Sequence, residues 1–336
     1  MTEYLFRPEV VRVALVVGVV VSVLFYERVQ LTTGGAVVPA YLALSLPAPL
    51  HVLSTLVAGY LTYVLVSVVL SRRVILYGRR KFELEVLVGL GLVALLTVAA
   101  SALDDVDPSL SGVAALGFLV PGVLAHDMSR QKPGKTVVAV LVTTGILGAF
   151  VYLYSSLLAI SPLGDVPPVA VASLTGYPPE LLLPAAAASV LVGMLVFDQA
   201  GLRSGGFISG AYLALVAPRW ADLLFAAGAA GLTWLLVVKV IMPRLLVFGR
   251  RKLSTMVLVG SIVAWTLEVL VTTLTAGAYT PWLGLSVMAL MVPALLANDA
   301  QRQGWEKTVW GATATSLGVY GAMSLVAAVG AATGWF

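Results

Sequence analysis

Tyr77-Gly78-Arg79-Arg80-Lys81 returns 171 residues later as Phe248-Gly249-Arg250-Arg251-Lys252, each time directly after a long apolar run. One module is therefore written twice in this chain. The same offset pairs Gly34-Gly35 with Gly205-Gly206, Tyr41-Leu42-Ala43-Leu44 with Tyr212-Leu213-Ala214-Leu215, and Leu61-Thr62-Tyr63 with Leu232-Thr233-Trp234. Beyond Gly89 and Gly260 the offset slips by one. It then aligns Val120-Pro121 with Val292-Pro293, Asp127 with Asp299, Arg130-Gln131 with Arg302-Gln303 and Lys135-Thr136 with Lys307-Thr308. A period this long denotes duplicated domains and not a solenoid. The modules are expected over 1–160 and 184–336. They are joined by a linker at 161–183, where Pro162, Pro167, Pro168, Pro178 and Pro179 deny any long helix.

A chain of 336 residues that is 60% hydrophobic and 11% charged, with mean hydropathy +1.01, carries more apolar surface than a soluble core can hide. An all-α polytopic membrane protein is expected. The absence of cysteine excludes disulfides and thiolate metal sites. The first apolar run, from about Val10 to Tyr26, meets Glu27-Arg28 where a signal peptide would have a small-residue cleavage site, so it reads as a retained first span.

Six apolar segments fall in each module, at about 10–26, 34–47, 50–71, 85–103, 112–125 and 136–160, then 183–200, 205–217, 221–243, 255–275, 283–297 and 308–330. The second and fifth are short. About 14 residues of helix cover only ~21 Å of the ~30 Å hydrocarbon layer. Gly34, Gly35 and Pro39 interrupt one, and Gly117, Pro121 and Gly122 the other. Each short segment is either a broken crossing or a re-entrant hairpin. If all six cross, Arg28, then Arg72, Arg73, Arg79, Arg80 and Lys81, then Arg130, Lys132 and Lys135 share the cytoplasmic side, and the second module follows suit. The exceptions are Arg7 and Arg219. Charge placement thus favours twelve crossings in two parallel modules, with both termini outside. Segments one to three and four to six then run oppositely, as in nested inverted repeats, whose short broken members point to a binding site near the midplane.

Tyr26-Glu27-Arg28 with Gly34 and Val37-Val38-Pro39-Ala40-Tyr41-Leu42, then Ile75-Leu76-Tyr77-Gly78-Arg79-Arg80-Lys81-Phe82, then Leu119-Val120-Pro121-Gly122-Val123-Leu124-Ala125, resemble the PgsC/CapC membrane subunit of bacterial poly-γ-glutamate synthase. The likeness covers nearly all of 8–155, so the chain resembles a tandem fusion of two such subunits. The second module departs from the pattern: Asp198-Gln199 stands for Glu27-Arg28, Gly210 for Pro39, Ala294 for Gly122 and Asn298 for His126. The resemblance implies a subunit of the inner (cytoplasmic) cell membrane that anchors a cytoplasmic ATP-dependent amide ligase, the Mur-ligase-like PgsB/CapB subunit. It also implies help in passing the anionic polymer outward with a PgsA/CapA-like accessory protein. Membrane lipids are the other expected partners, and no nucleic acid is.

The chain has no nucleotide-binding Gly-x-x-x-x-Gly-Lys-[Ser/Thr] loop and no His-Glu-x-x-His, and its histidines are His51 and His126. No cofactor, metal or catalytic residue of its own is expected. Candidate path or polymer contacts cluster around the breaks: Glu27, Arg28, Gly34, Pro39, Tyr41, Pro121, Gly122, Asp127 and Arg130, then Asp198, Tyr212, Pro293, Asp299 and Arg302. The bland alternatives are a cap or arginine partner for Glu27 and Asp198, core packing for the tyrosines, and local pairs of Asp127 with Arg130 and Asp299 with Arg302 at helical spacing. Arg79, Arg80, Lys81, Arg250, Arg251 and Lys252 are candidate ligase-docking residues, or plain topology and headgroup anchors. Arg12, Lys239 and Glu268 lie inside predicted spans; the first two can snorkel, whereas Glu268 is deeper and has no acidic counterpart. A stand-alone secondary transporter of a small anion and a purely structural scaffold are the rival readings.

Overall fold

Apolar runs with few charges fold in this computed structural model as helices, which satisfy every backbone group internally and so suit lipid. The structure describes residues 6–102, 119–160, 171–247 and 249–333. Among them lie twelve α-helices and no strand. The acidic turn at Asp104-Asp105-Val106-Asp107 and the positions Gly117 and Phe118 fall outside the described residues.

The chain divides into two compact units, Met1–Pro168 and Val169–Phe336. In the first, α1 (Pro8–Val29), α3 (Pro49–Tyr63), α4 (Gly78–Ala102) and α6 (Pro133–Ile160) are the long members, with α2 (Val38–Leu44) and α5 (Val120–Gln131) short between them. The second unit repeats this order. Its long helices are α7 (Leu182–Ala200), α9 (Trp220–Trp234), α10 (Gly249–Leu274) and α12 (Trp305–Thr333), with α8 (Ser209–Val216) and α11 (Ser286–Gln303) between them. Among the described residues, eight helices, four in each unit, are long and apolar enough to cross a membrane. α3 continues as π-helical backbone over Val64–Val69, and α9 does the same over Leu235–Ile241, at matching positions of the repeat. A π segment kept in both copies is a built feature of the module.

The short segments differ from the sequence expectation in where they break. Pro39 and Pro121 sit in the first turns of α2 and α5, where a missing N–H costs no helical bond. Pro293 lies inside a helix that continues through it. The non-helical backbone is instead the stretch 30–37 ahead of α2, with Gly34 and Gly35 at φ +75° and +92°, and its repeat ahead of α8, with Gly205 and Gly206 at +80° and +90°. These are left-handed values that glycine adopts without steric cost.

Small residues let the helices approach closely, the usual device where lipid removes the hydrophobic drive. A Cβ on Gly122 would meet Val86 Cα at 2.5 Å, and one on Gly89 would meet Gly122 N at 2.8 Å, so α4 and α5 touch backbone to backbone. In the second unit a Cβ on Gly260 would meet the Ala294 methyl group at 2.7 Å and its Cα at 3.2 Å. Leu42, Leu124, Met128 and Val140 form the buried centre of the first unit.

Candidate functional site

The amides of the non-helical stretches need partners, and the last turn of the fifth segment supplies them. Gly34 N donates to Asp127 Oδ2 at 3.0 Å. Thr32 N donates to Gln131 Oε1 at 2.7 Å, while Gln131 Nε2 donates back to Thr32 O at 2.6 Å and to Thr136 Oγ1 at 2.9 Å. The second unit repeats every element. Gly205 N and Gly206 N donate to Asp299 Oδ2 at 3.1 and 3.2 Å. Arg203 N donates to Gln303 Oε1 at 2.9 Å, and Gln303 Nε2 donates to Arg203 O and to Thr308 Oγ1 at 2.8 and 3.0 Å. A helix end thus holds an extended strap by one carboxylate and one amide side chain.

Asp127 and Asp299 are buried and turned onto the glycine strap, while Arg130 and Arg302 are exposed. Each carboxylate thus reaches a glycine strap far along the chain from its own helix. The glutamines were visible in the sequence only as matched positions in the two copies. Their role depends on partners about a hundred residues away.

Beside the strap lies a polar cluster that the sequence reading passed over. Glu85, fully buried in α4, accepts from Ser67 Oγ at 3.1 Å on one oxygen and lies 2.8 Å from His126 Nδ1 on the other, with Lys81 Nζ at 3.8 Å. The Phe82 ring packs edge-on to the imidazole, centroids 4.7 Å apart. Ser67 comes from the π segment, so that irregular backbone positions one member of the cluster. The second unit has Met256, Asn298 and Val238 at the positions of Glu85, His126 and Ser67; Lys252 remains and donates to Gln301.

These contacts gather one end of the first unit. The end of α1 with Arg28, the start of α4 with Arg79, Arg80 and Lys81, the end of α5 with Arg130 and the start of α6 converge there, because Gln131 binds Thr32 while His126 binds Glu85. Arg79 pairs with Glu83, and Arg80 is exposed. In the second unit Arg251 is exposed and Lys252 half-buried at the corresponding end of α10; the Arg250 side chain lies outside the described set.

The remaining candidates do not join this cluster. Tyr41 OH lies 3.2 Å from His51 Nε2 at the start of α3, and Tyr212 is buried. Glu27 and Asp198 sit on the last turns of α1 and α7, half-buried and exposed respectively. Pro39, Pro121, Gly122 and Pro293 are buried in helix contacts. Glu268 is buried on α10. At the start of α9 the buried Asp222 accepts from Tyr279 OH at 2.6 Å and Trp282 N at 3.1 Å and pairs with Arg219 at 3.1 Å. Burial, and then the Asp222 carboxylate, push the Tyr279 phenol up. This second clasp pins the turns leading into α11.

The model of the family "Capsule biosynthesis CapC" matches residues 17–137 and 188–309, one stretch in each unit and together well over half of the chain. The chain belongs to the CapC family. The PGA biosynthesis protein CapC of Bacillus subtilis (strain 168) is 34% identical over 143 residues, 42% of this chain and 93% of its own length. The capsule biosynthesis protein CapC of Bacillus anthracis is 35% identical over 142 residues, again 42% of this chain and 93% of its own. No solved structure matches. Each CapC relative is covered almost whole by less than half of this chain, so the duplication reads as two CapC units in tandem.

Proposed function

We propose that this tandem CapC protein is the integral membrane subunit of a poly-γ-glutamate synthesis and export complex in the cytoplasmic membrane. It anchors a cytoplasmic ATP-dependent amide ligase and assists passage of the anionic polymer. The family membership and the names of the two CapC relatives support the pathway, and eight apolar helices support the membrane role. The observation that carries the anchoring role is the recurrence of Arg-Arg-Lys at the start of α4 and again at the start of α10, at the end of each unit where the other basic residues collect. Clustered cations at a membrane surface attract an acidic partner and steer its approach.

The test replaces Arg79, Arg80, Arg250 and Arg251 with Gln and measures co-purification of the ligase against ionic strength. Weaker association with a flatter salt profile is expected, because the lost attraction is screened charge. Insertion should persist, since Lys81, Lys252, Arg130 and Arg302 remain. An unchanged yield and salt profile would return the loops to topology anchors.

The strap narrows the polymer reading. The strap amides of Thr32, Gly34, Arg203, Gly205 and Gly206 already have protein partners, so they are not donors awaiting a ligand. Polymer contact then falls to the exposed Arg28, Arg130 and Arg302.

A further inference from the structure

We infer that the first unit carries a proton-binding site at Glu85 and His126, that occupying it tightens α5 against α4, and that the second unit has no such site. The inference is independent of what the complex makes or transports. Glu85 has no solvent exposure, and the His126 side chain keeps a quarter of its own. The pair sits about 10 Å in from the start of α4, counting seven residues at the helical rise. A buried carboxylate needs compensation, and three side chains from three separate stretches of chain supply it: Ser67, Lys81 and His126.

An ionised carboxylate can only accept, so Nδ1 carries the hydrogen of the 2.8 Å contact and Nε2 is the nitrogen that takes up a further proton from water. Uptake forms one N–H bond and adds a positive charge to the donor of a bond whose acceptor is already charged, so the contact between α4 and α5 becomes a hydrogen-bonded ion pair. The neighbouring residue, Asp127, holds the Gly34 amide. The protonated pair therefore fixes the same helix turn that holds the strap.

Other charged groups surround the pair. Lys81 touches Glu85; Arg79 is engaged by Glu83 on α4 and Arg80 is exposed; Asp127 faces the strap from α5 and Arg130 is exposed. Arg72 and Arg73 at the end of the α3 extension, with Lys132 and Lys135 at the start of α6, are exposed. In the second unit the same two positions hold Met256, buried, and Asn298, also buried, so neither can take a proton near neutral pH. Acid and imidazole are replaced together, as expected of a pair in which either member alone would be left uncompensated.

The duplication supplies an internal control. Amide hydrogen exchange of the full-length protein in lipid nanodiscs, corrected for intrinsic rates, would be followed from pH 8 to pH 6 in peptides covering 119–131 and 291–303. Exchange in 119–131 should slow by about three- to tenfold as pH falls, the scale of a part-buried ion pair added to an existing hydrogen bond, while 291–303 stays flat. The double variant Glu85→Met with His126→Asn copies the second unit and should flatten 119–131. His126→Gln, which removes the nitrogen that takes the proton but keeps an N–H donor for Glu85, should do the same if the double variant fails to fold. Equal, flat profiles in both units of the unmodified protein, or a slope that survives in these variants, would overturn the inference.

Discussion

Asp127 and Asp299 show how little of a residue's role its own neighbourhood reveals. Each lies three positions ahead of an arginine, yet its oxygen accepts from glycine amides more than ninety residues away. Replacing either by Ala leaves buried N–H groups without their acceptor, a loss of about 1.5–3 kcal/mol for hydrogen bonds to a charged group. Denaturant midpoints of Asp127→Ala and Asp299→Ala, each compared with the parent, would check this. Gln131 bonds both the N–H and the C=O of Thr32, so Gln131→Glu keeps the shape and loses the donor. Faster exchange of amides in 30–37 is the expected result.

At the scale of elements, the contact between α4 and α5 is set by glycine. A Cβ at Gly122 would press on backbone atoms of Val86 and Glu85, at 2.5 and 2.9 Å, which cannot rotate aside. Gly122→Ala should therefore force the helices apart and cost roughly 1–3 kcal/mol, as overpacking generally does, read as a lowered thermal midpoint. The same step disturbs the Glu85–His126 contact one turn along. Ala294 occupies the equivalent place in the second unit, opposite Gly260, so there a methyl group is already accommodated against the facing glycine. Reversing it with Ala294→Gly should be far milder, because removing a methyl group asks nothing of its neighbours beyond a small void.

Across the whole molecule, direction is the quantity to test. In the first unit the chain leaves the basic end after α1, passes through the strap and α2, and reaches α3, whose 24-residue span with its extension returns to the start of α4. α2 alone, with seven residues, would cover only ~10 Å. In a six-crossing arrangement the strap would supply the rest of the passage, with its polar backbone held by protein as lipid requires. A chain without cysteine makes the test direct. Single cysteines at Ser129 and Ser161 should react with impermeant reagents from opposite sides, Ser129 from the cytoplasm. Labelling of both from one side would remove the six-crossing arrangement.

The amino-acid sequence by itself determined the helical membrane class, the two-fold repeat and the clustering of charge, because hydropathy, repeat offset and Lys/Arg placement are properties of the chain read locally. Gly34-Gly35 and Gly205-Gly206 were legible as breaks for the same reason: few residues but glycine tolerate φ near +80°. Tertiary structure alone decided which side chains answer those breaks. Gln131 and Thr32 stand 99 residues apart, and Glu85 and His126 stand 41 apart. Only the packing of α5 between α3, α4 and α6 brings such partners within reach. Two copies of one sequence pattern thus share a strap and its clasp, and differ where an acid and an imidazole in the first give way to a thioether and an amide in the second.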